Sequence, residues 1–324
     1  MISEAQIENT LANLFDNIEF TDQPHGLYDP LRYMISIGGK RIRPRLCLTT
    51  YSLYKENFAD GVCEAATALE VFHSFTLIHD DIMDNAPIRR GKATVWKQWD
   101  ANTAILSGDV MSIDSYRRLA GIRPEALPES LRIFNSMAAG VCEGQQYDME
   151  FETMDNVSIS QYIKMIGLKT SLLIATAARL GAVIAGAPVR DCELLYNFGY
   201  ALGLAFQIED DYLDTFGDIG TFGKSIGGDI LNNKKTWLMI KAMEKDAAAM
   251  SAAIAMPSGT AEEDAAKIRH VTELYRRLGV DADAKAEIES YHKEALSYVD
   301  ALGLSKFKTE LLYRYASSLV GRKK

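Results

Sequence analysis

Apolar residues recur at the three- and four-residue spacing of an α-helix along almost the whole chain. Only eight prolines occur in 324 residues, with none between Pro128 and Pro188 or between Pro188 and Pro257. Because proline interrupts helices, this distribution predicts that most of the helices are long. Two segments, CEAATALEVFHSFTLIHDDIMD and LLYNFGYALGLAFQIEDDYLD, are apolar on nearly all sides until their acidic ends, which predicts two buried central helices.

Short segments rich in glycine, proline or charge separate the predicted helices. They are DQPHGLYDP, GGKRIRP, NAPIRRGKATV, GIRPEALPES, FGDIGTFGKSIGGD and AMPSGTAEED. None of them has the length or the low complexity of a domain linker. We therefore predict a single all-α domain over residues 1–324, built as a large antiparallel helical bundle around a cavity, with the functional loops at one mouth of the bundle.

Composition and charge argue against a nucleic-acid-binding protein, a secreted protein and a membrane-spanning protein. A formal net charge of -9 argues against nucleic-acid binding, which requires a continuous positive face. The first twenty residues carry acidic side chains where a secretory signal has basic ones, and no apolar run reaches the ~20 residues of a membrane-spanning helix. We therefore expect a cytoplasmic protein without a transmembrane segment. The four cysteines, Cys47, Cys63, Cys142 and Cys192, are scattered without a CxxC pair and are expected to be reduced thiols in the core.

Each of the two buried helices is predicted to end in a DDxxD motif. The acidic residues are Asp80, Asp81 and Asp84 in HDDIMD, and Asp210, Asp211 and Asp214 in EDDYLD. Residues i and i+4 share a helix face, so each motif presents paired carboxylates whose mutual repulsion a bound cation would relieve. Oxygen ligands without histidine or cysteine suit Mg²⁺, which bridges carboxylates to substrate phosphates. One such motif is equally well explained by a solvated acidic helix end, but two of them favour a magnesium and diphosphate site.

Two basic loops lie close in sequence to the first motif. GGKRIRP contains Lys40, Arg41 and Arg43 at a predicted junction between a loop and a helix, where backbone amides also face an anion. IRRG supplies Arg89 and Arg90 five and six residues after the motif, and guanidinium groups match the geometry of phosphate oxygens. Each loop alone is most simply an exposed loop, but their proximity to the acidic motif favours an anion site.

Several isolated polar residues are candidates that also have a structural explanation. His73 lies two helical turns before Asp80 on the same face, where it would reach a bound phosphate, and a buried core histidine is the alternative. Gln207 lies one turn before Asp210, and a structural amide is the alternative. The remaining candidates are Lys169, Thr170, Lys224 and Lys234, and each lysine taken alone is most simply a solvated side chain.

Six segments, taken together and in order, closely resemble the trans-isoprenyl diphosphate synthases, or polyprenyl synthetases. They are GGKRIRP, HDDIMDNAPIRRG, GLKT, FQIEDDYLDTFGD, FGKSIGGDI and NNKKT, and they span residues 30 to 240 approximately. The resemblance is to the short-chain type, the farnesyl and geranylgeranyl diphosphate synthases. It implies an all-α isoprenoid synthase fold around a deep apolar pocket and a homodimer. The implied reaction adds isopentenyl diphosphate head to tail to an allylic C5 to C15 diphosphate, in trans, with release of diphosphate.

The resemblance also implies a role for each matching residue. Three Mg²⁺ ions, replaceable by Mn²⁺, would be held on the allylic diphosphate by Asp80, Asp84 and Asp210 together with Asp214, supported by Asp81 and Asp211. The allylic diphosphate would also contact Arg89, Lys169, Lys224 and Lys234. Isopentenyl diphosphate would contact Lys40, Arg43, His73 and Arg90. Thr170 and Gln207 would lie near the reacting carbons and stabilise positive charge there through their oxygen dipoles. With Lys169, Asp81 and Asp211 they make up the expected catalytic residues.

Product length is expected to depend on the helix before the first motif. Phe75 lies five residues before Asp80, Phe72 is one turn deeper, and the small residue Thr76 is next to Phe75. A bulky residue at the fifth position before the motif resembles short-product enzymes, so the two phenylalanines would form the floor of the product tunnel. This implies farnesyl or geranylgeranyl diphosphate as the product. Ordinary core packing of both aromatic rings is the alternative.

Three other functions are weighed against this one. A synthase of longer polyprenyl chains would share every motif. A class I terpene cyclase usually has an asparagine, serine and glutamate pattern at its second metal site and does not need GGKRIRP. A non-catalytic subunit of a heteromeric synthase tends to lose acidic residues from one motif, whereas both motifs are intact here. One departure from the family lies in GDVMSIDSYRRLAG, where many relatives have a smoother apolar helix in the region that faces the dimer.

Overall fold

The protein is described by a computed structural model that covers residues 2–20, 23–217 and 226–321. The all-α prediction is confirmed, since the strands of this part of the chain are the short antiparallel pair β1 (Ile88–Arg89) and β2 (Lys92–Ala93). The helices are α1 (Glu4–Asp16), α2 (His25–Ser36), α3 (Ile42–Ser52), α4 (Val62–Met83), α5 (Val95–Gln98), α6 (Ala101–Leu119), α7 (Leu127–Thr153), α8 (Ile159–Ile166), α9 (Leu172–Ala185), α10 (Val189–Phe216), α11 (Gly228–Leu231), α12 (Trp237–Lys245), α13 (Ala247–Ile254), α14 (Ala261–Arg277), α15 (Val280–Ala301) and α16 (Lys306–Leu319). A π-helix, Gly167–Ser171, joins α8 to α9.

The long helices fall where the chain lacks proline. Helices α7 and α10 have 27 and 28 residues, and α4, which carries the first acidic motif, has 22. Local sequence also determines where helices begin. Ser158 and Gln161 form a capping box at the start of α8, which satisfies backbone amides that the first helical turn leaves without partners.

Residue contacts divide the chain into two compact units. Unit 1 contains Met1–Asn135, Thr176–Tyr196 and Leu302–Leu312. In unit 1, α4 packs against α3 and α6, and α2 packs against α6. The buried core around α2, α4 and α6 includes Phe20, Leu31, Met34, Ile35, Val71, Ile78, Val95, Ala104 and Met111. This packing buries one side of α4 up to the turn that carries the first acidic motif.

Unit 2 contains Ser136–Ala175, Asn197–Ala301 and Tyr313–Lys324. Within it, α12 packs against α8, α13 and α15, and α14 packs against α11, α13 and α15. Two glycines allow close approach to the π-helix. A Cβ on Gly203 of α10 would lie 2.5 Å from Ser171 Cα, and a Cβ on Gly144 of α7 would lie 2.4 Å from Lys169 N. Both distances are shorter than carbon contacts allow, so glycine is required for this packing.

The prediction of one domain over residues 1–324 stays a prediction. The segment Ile159–Ala185 has the length and hydropathy of a membrane span, but 72% of its apolar window is buried inside the protein. All four cysteines lie in the described part of the chain, where they form no disulfide. Cys47 and Cys192 are buried and Cys63 is partly buried, but Cys142 is exposed on α7, so the prediction of a core thiol is wrong for Cys142.

Candidate active site

The first acidic motif lies at the carboxyl end of α4. The amide of Asp84 donates a hydrogen bond to the carbonyl of Asp80 at 2.8 Å, so the two carboxylates lie one helical turn apart. The last turn of α4 contains no basic residue. Because the carboxyl end of a helix carries partial negative charge, acidic side chains are unfavourable there unless a cation is bound nearby. Asp80 and Asp84 therefore have the helical spacing that was expected. Their carboxylates and the negative end of α4 together attract cations.

Asp81 points into the protein instead of toward solvent. Its side chain is buried and accepts hydrogen bonds from Arg89, whose Nε lies 2.9 Å from both carboxylate oxygens and whose Nη2 lies 2.7 Å from Oδ1. Burial raises the pKa of Asp81, and the guanidinium of Arg89 opposes that rise. Asp81 thus attaches the β1–β2 hairpin, which carries Arg89 in β1 and Arg90 in its turn, to the end of α4.

Arg41 fixes the conformation of the loop GGKRIRP. It adopts the left-handed conformation (φ 47°) at the start of α3, and its guanidinium donates to Glu70 Oε1 at 2.7 Å and to the Ile35 carbonyl at 2.9 Å. The same guanidinium stacks over the ring of Phe15, 4.3 Å from the centroid. Glu70 is buried, and the sequence analysis did not identify it. The available signal was a carboxylate in the middle of an otherwise apolar helix.

Three of the residues expected to bind isopentenyl diphosphate share one environment in unit 1. Burial, followed by the positive charges of Arg43, Arg90, Arg89 and Arg41, lowers the pKa of His73 well below its usual range. His73 is therefore neutral near pH 7, and the charges of four guanidinium groups act on it. Gly39 lies against this cluster, since a Cβ there would be 2.6 Å from Arg90 Nη1. This group of cations around a neutral histidine has the charge required to bind a small anion.

Lys40, the fourth expected residue, is exposed on the same loop. It lines an open cleft of about 610 Å³ together with residues of α1 and α2.

The three residues expected to limit product length lie on α4. Phe72 is completely buried and packs edge-on against Phe75 and Phe134, each with ring centroids 5.3 Å apart. Phe75 is partly buried and packs edge-on against His79 at 4.9 Å. Thr76 donates a hydrogen bond to the His73 carbonyl at 2.8 Å. Phe75, rather than Phe72, therefore retains an accessible face.

The second acidic motif lies near the carboxyl end of α10, whose last turn also lacks a basic residue. Asp210 is partly exposed, and Asp214 accepts a hydrogen bond at Oδ2 from the amide of Asp229 at 3.0 Å. Asp229 adds a further carboxylate next to the three of this motif, and the sequence analysis did not identify it. Its position immediately after the glycine pair in SIGGDI was the signal that could have found it.

Asp211 is the centre of a buried hydrogen-bond network. Its Oδ2 accepts from the hydroxyl of Tyr162 at 2.5 Å and from the amide of Trp237 at 3.2 Å, and its Oδ1 accepts from Gln207 Nε2 at 3.1 Å. Gln207 Oε1 in turn accepts from the hydroxyl of Thr170 at 2.8 Å. Burial and the charge of Asp229 raise the pKa of Asp211 to about 7, against the opposing effects of Tyr162, Lys234 and Gln207. The expected pair Thr170 and Gln207 is thus in direct contact.

Lys169 and Lys234 are brought together by Asp148, which the sequence analysis did not identify. Lys169 Nζ lies 2.6 Å and Lys234 Nζ 4.0 Å from Asp148 Oδ2. Burial alone would raise the pKa of Asp148, but the two lysines outweigh this effect and lower it. Lys224, the other expected lysine, lies outside the described residues.

The donor atoms of both motifs fit magnesium. In the described ranges, no three histidine, cysteine, aspartate or glutamate side chains converge as a complete metal site. Magnesium does not require one, because it usually takes one or two carboxylates and completes its octahedron with water and substrate phosphate oxygens. Pairs of carboxylates at two helix ends therefore suit an ion that binds together with a diphosphate.

Comparison with known proteins identifies the family. Residues 24–275 match the polyprenyl synthetase family. The chain is 35% identical over 302 residues to the geranylgeranyl diphosphate synthase of Methanosarcina mazei, covering 93% of this chain and 91% of that protein. It is also 35% identical over 244 residues to the geranylfarnesyl diphosphate synthase of Natronomonas pharaonis, covering 69% of this chain and 70% of that one.

A solved structure resembles the whole chain. It is the crystal structure of a geranylgeranyl pyrophosphate synthase, which matches with a TM-score of 0.94 at 42% identity and covers 100% of both chains. The all-α fold agrees with these matches. The chain therefore belongs to the polyprenyl synthetase family and is a prenyltransferase of the short-chain trans-isoprenyl diphosphate synthase type.

Proposed function

We propose that this enzyme adds isopentenyl diphosphate to allylic diphosphates and forms geranylgeranyl diphosphate as its main product. The observation that carries the proposal is the pairing of two features: oxygen-only carboxylate pairs at two helix ends, and a guanidinium cluster around the neutral His73. The first suits a metal-bound diphosphate, and the second suits a diphosphate bound without metal. A prenyl elongation enzyme requires both.

Isopentenyl diphosphate is assigned to the guanidinium cluster of unit 1. Arg43 and Arg90 supply forked donors for phosphate oxygens, and the neutral ring of His73 supplies one further N–H donor. Lys40, which is exposed on the loop that precedes α3, is proposed to contact the same diphosphate. The arrangement is held by Arg41, whose contacts with Glu70 and Ile35 leave the loop in one conformation.

The proposed magnesium ligands are Asp80 and Asp84 on α4 and Asp210 and Asp214 on α10. Magnesium, when bound, neutralises the charge that builds on the departing diphosphate as the allylic carbon–oxygen bond breaks. Arg89, Lys169 and Lys234 are proposed to donate hydrogen bonds to the same leaving group. Lys224 has the same proposed role, although it lies outside the described residues.

The carbocation left by ionisation is proposed to be stabilised by Thr170 and Gln207. The hydroxyl of Thr170 donates its proton to Gln207 Oε1, so the lone pairs of the hydroxyl oxygen point elsewhere and are available to positive charge. The double bond of isopentenyl diphosphate then attacks the cation. The released diphosphate is the proposed acceptor of the proton that is lost when the new double bond forms.

The product assignment rests on the residues before the first motif and on the relatives. Phe75 retains an accessible face and would close the tunnel, whereas Thr76 beside it is small and leaves room for a chain longer than C15. The named products of the two relatives are geranylgeranyl and geranylfarnesyl diphosphate. A C20 product agrees both with the residues before the first motif and with the product named for the Methanosarcina mazei relative.

The enzyme is further proposed to be a cytoplasmic homodimer. Helix α6 exposes three large apolar side chains on one stripe, with Ile105, Leu106 and Ile113 exposed by 43%, 58% and 60%. Such a stripe favours contact with a second copy. Leu106→Glu should then shift the enzyme from a dimer to a monomer in size-exclusion chromatography with light scattering. A wild-type monomer would contradict the proposal.

One assay tests the reaction and the product. The purified enzyme is incubated with Mg²⁺, isopentenyl diphosphate and each of the C5, C10 and C15 allylic diphosphates, and the dephosphorylated products are identified by mass spectrometry. We expect a C20 alcohol from every primer that is accepted. Cyclic hydrocarbons, or turnover of an allylic diphosphate without isopentenyl diphosphate, would contradict the proposed reaction. Chains of C30 or longer would contradict the proposed product only.

A further inference from the structure

We infer that Tyr162 is a positioning residue for prenyl transfer, which fixes Asp211 through its hydroxyl and thereby orients Gln207 and Thr170 toward the reacting carbons. The inference rests on the proposed function, because it takes the roles of Gln207 and Thr170 from it. It adds a residue that does not belong to any of the six motifs and contacts Asp211 across 49 positions of sequence.

The position of Tyr162 is determined by packing. It lies in α8, is almost completely buried, and donates its single hydroxyl proton to Asp211 Oδ2 at 2.5 Å. Asp211 is also buried, and a carboxylate in such a place is costly unless its oxygens are hydrogen-bonded. The other donors are the Trp237 amide and the side chain of Gln207. Three donors from three directions hold the plane of the carboxylate.

The network transmits this orientation to Gln207. A carboxylate oxygen accepts hydrogen bonds, so the amide group of Gln207 turns its Nε2 toward Asp211 Oδ1 and its Oε1 away. The Oε1 atom then accepts the hydroxyl proton of Thr170 at 2.8 Å. If the carboxylate of Asp211 rotated, the amide could reverse, and the Thr170 hydroxyl would face a donor instead of an acceptor. Its oxygen would then no longer be presented to the substrate in the same way.

Close packing at Gly203 adds a third contact between α10 and the segment that carries Tyr162 and Thr170. Gly203, Gln207 and Asp211 lie on successive turns of α10, where they contact Ser171, Thr170 and Tyr162 respectively. The segment from α8 through the π-helix is thus attached to one face of α10 at three points. Single-turn π-helices are frequent at functional sites, and this one carries Lys169 and Thr170. The Tyr162 contact is the one farthest from the π-helix.

Both oxygens of Asp211 are occupied by this network, which distinguishes its role from that of a magnesium ligand. A change at Tyr162 should therefore alter the rate of the chemical step more than the affinity for metal or substrates. A lower kcat with unchanged affinities for metal and substrates is a result that a loss of stability alone would not produce.

The test compares Tyr162→Phe with Tyr147→Phe. Tyr147 also loses only a hydroxyl, but that hydroxyl accepts from Lys164 at the surface. We expect Tyr162→Phe to lower kcat about 10- to 100-fold and to leave KM for both substrates and the Mg²⁺ dependence within about twofold of wild type. Tyr147→Phe should stay within about twofold throughout. A Tyr162→Phe enzyme with unchanged kcat would overturn the inference, and the proposed function would stand if wild type elongates its primer.

A double-mutant cycle identifies the route of the effect. In the Thr170→Val background, adding Tyr162→Phe should change kcat less than about twofold, because Thr170 is the residue that Tyr162 orients. Independent, multiplying effects in enzymes of equal melting temperature would overturn the inference. If Tyr162→Phe does not fold, the single variant Asp211→Asn is compared with the double variant Asp211→Asn/Tyr162→Phe. Both lack the carboxylate that accepts the hydrogen bond of Tyr162, so loss of the hydroxyl should have little further effect on kcat. A difference in kcat below about twofold supports transmission through Asp211, and one above about tenfold overturns it.

Discussion

Asp81 holds Arg89 through a bidentate ion pair, in which Arg89 Nε lies 2.9 Å from each carboxylate oxygen and Nη2 lies 2.7 Å from Oδ1. The middle aspartate of the first DDxxD motif is therefore a structural anchor for the hairpin whose turn contains Arg90. The middle aspartate of the second motif, Asp211, is likewise buried and occupied by donors from the protein. In both motifs, the middle aspartate holds the surrounding structure, and the outer aspartates are the proposed metal ligands.

Replacement of Asp81 should affect substrate binding rather than metal chemistry. Asp81→Asn removes the charge that holds Arg89, and loss of one partner of a buried pair costs about 3–5 kcal/mol. We expect KM for both substrates to rise about tenfold or more and the melting temperature to fall, with a smaller change in kcat. Asp155→Asn, at an exposed position, is the matched control. Unchanged KM values in a folded Asp81→Asn enzyme would show that the hairpin does not depend on this pair.

Replacement of an outer aspartate should abolish the chemical step. Asp80→Ala and Asp210→Ala are each expected to lower kcat by about 10³-fold or more, equivalent to about 4 kcal/mol of lost stabilisation of the departing diphosphate. EDTA should stop turnover by the wild-type enzyme, and added Mg²⁺ should restore it. A loss smaller than tenfold would remove that aspartate from the metal ligands, and full activity in EDTA would contradict the magnesium requirement.

The sequence predicts the main elements of the site because they depend on local spacing. The i,i+4 pair Asp80 and Asp84 lies on one helix face wherever the rest of the chain goes, and a proline-poor apolar segment forms a long helix in most contexts. Glu70, Asp148 and Tyr162 depend on tertiary contacts instead. Asp148, for example, contacts a lysine 21 residues away, and no local pattern encodes that distance.

The arginine-rich loops illustrate the same limit. The sequence analysis grouped Arg41 with Lys40 and Arg43 because all three are cations in one short segment. Arg41 differs because its backbone conformation turns the side chain toward Glu70 and Phe15. A cluster of charges can be found from sequence, but the assignment of each charge to a ligand or to the protein requires the fold.

The two substrate pockets should be separable by steady-state kinetics. Arg43→Ala removes a guanidinium from the cluster around His73, and charged hydrogen bonds contribute about 1.5–3 kcal/mol each. We expect KM for isopentenyl diphosphate to rise by about tenfold or more, with KM for the allylic substrate within about twofold of wild type. Lys234→Ala should show the opposite bias. If each variant raised both KM values equally, the assignment of residues to pockets would be wrong.

His73 should make the enzyme less stable at acid pH. Its folded-state pKa is lowered well below the ordinary 6.5, so below pH 6.5 the unfolded chain binds a proton that the folded protein does not. Stability is therefore retained above pH 6.5 and lost as the pH falls, with a limiting slope of about 1.4 kcal/mol per pH unit.

His73→Gln removes this titration. Its melting temperature should fall less than that of wild type between pH 7 and pH 5, whereas His270→Gln, at an exposed position, should follow wild type. Parallel pH profiles of the melting temperature for His73→Gln and wild type would mean that folding does not lower the pKa of His73.

Product length should change when Phe75 is shortened. Phe75 lies five residues before Asp80 and is only partly buried, so Phe75→Ala opens space beside the chain instead of leaving a sealed cavity. Each further CH₂ of product that enters this space gains ~0.8 kcal/mol from burial, which favours continued elongation over release. We expect the product to shift from C20 to C25 or longer in the mass spectrum. Phe72→Ala is the contrasting variant: Phe72 is completely buried and packs against Phe134, so its removal should lower the melting temperature by more than Phe75→Ala does. A Phe75→Ala enzyme that stays folded and active but still releases the wild-type product would place the floor of the tunnel at other residues.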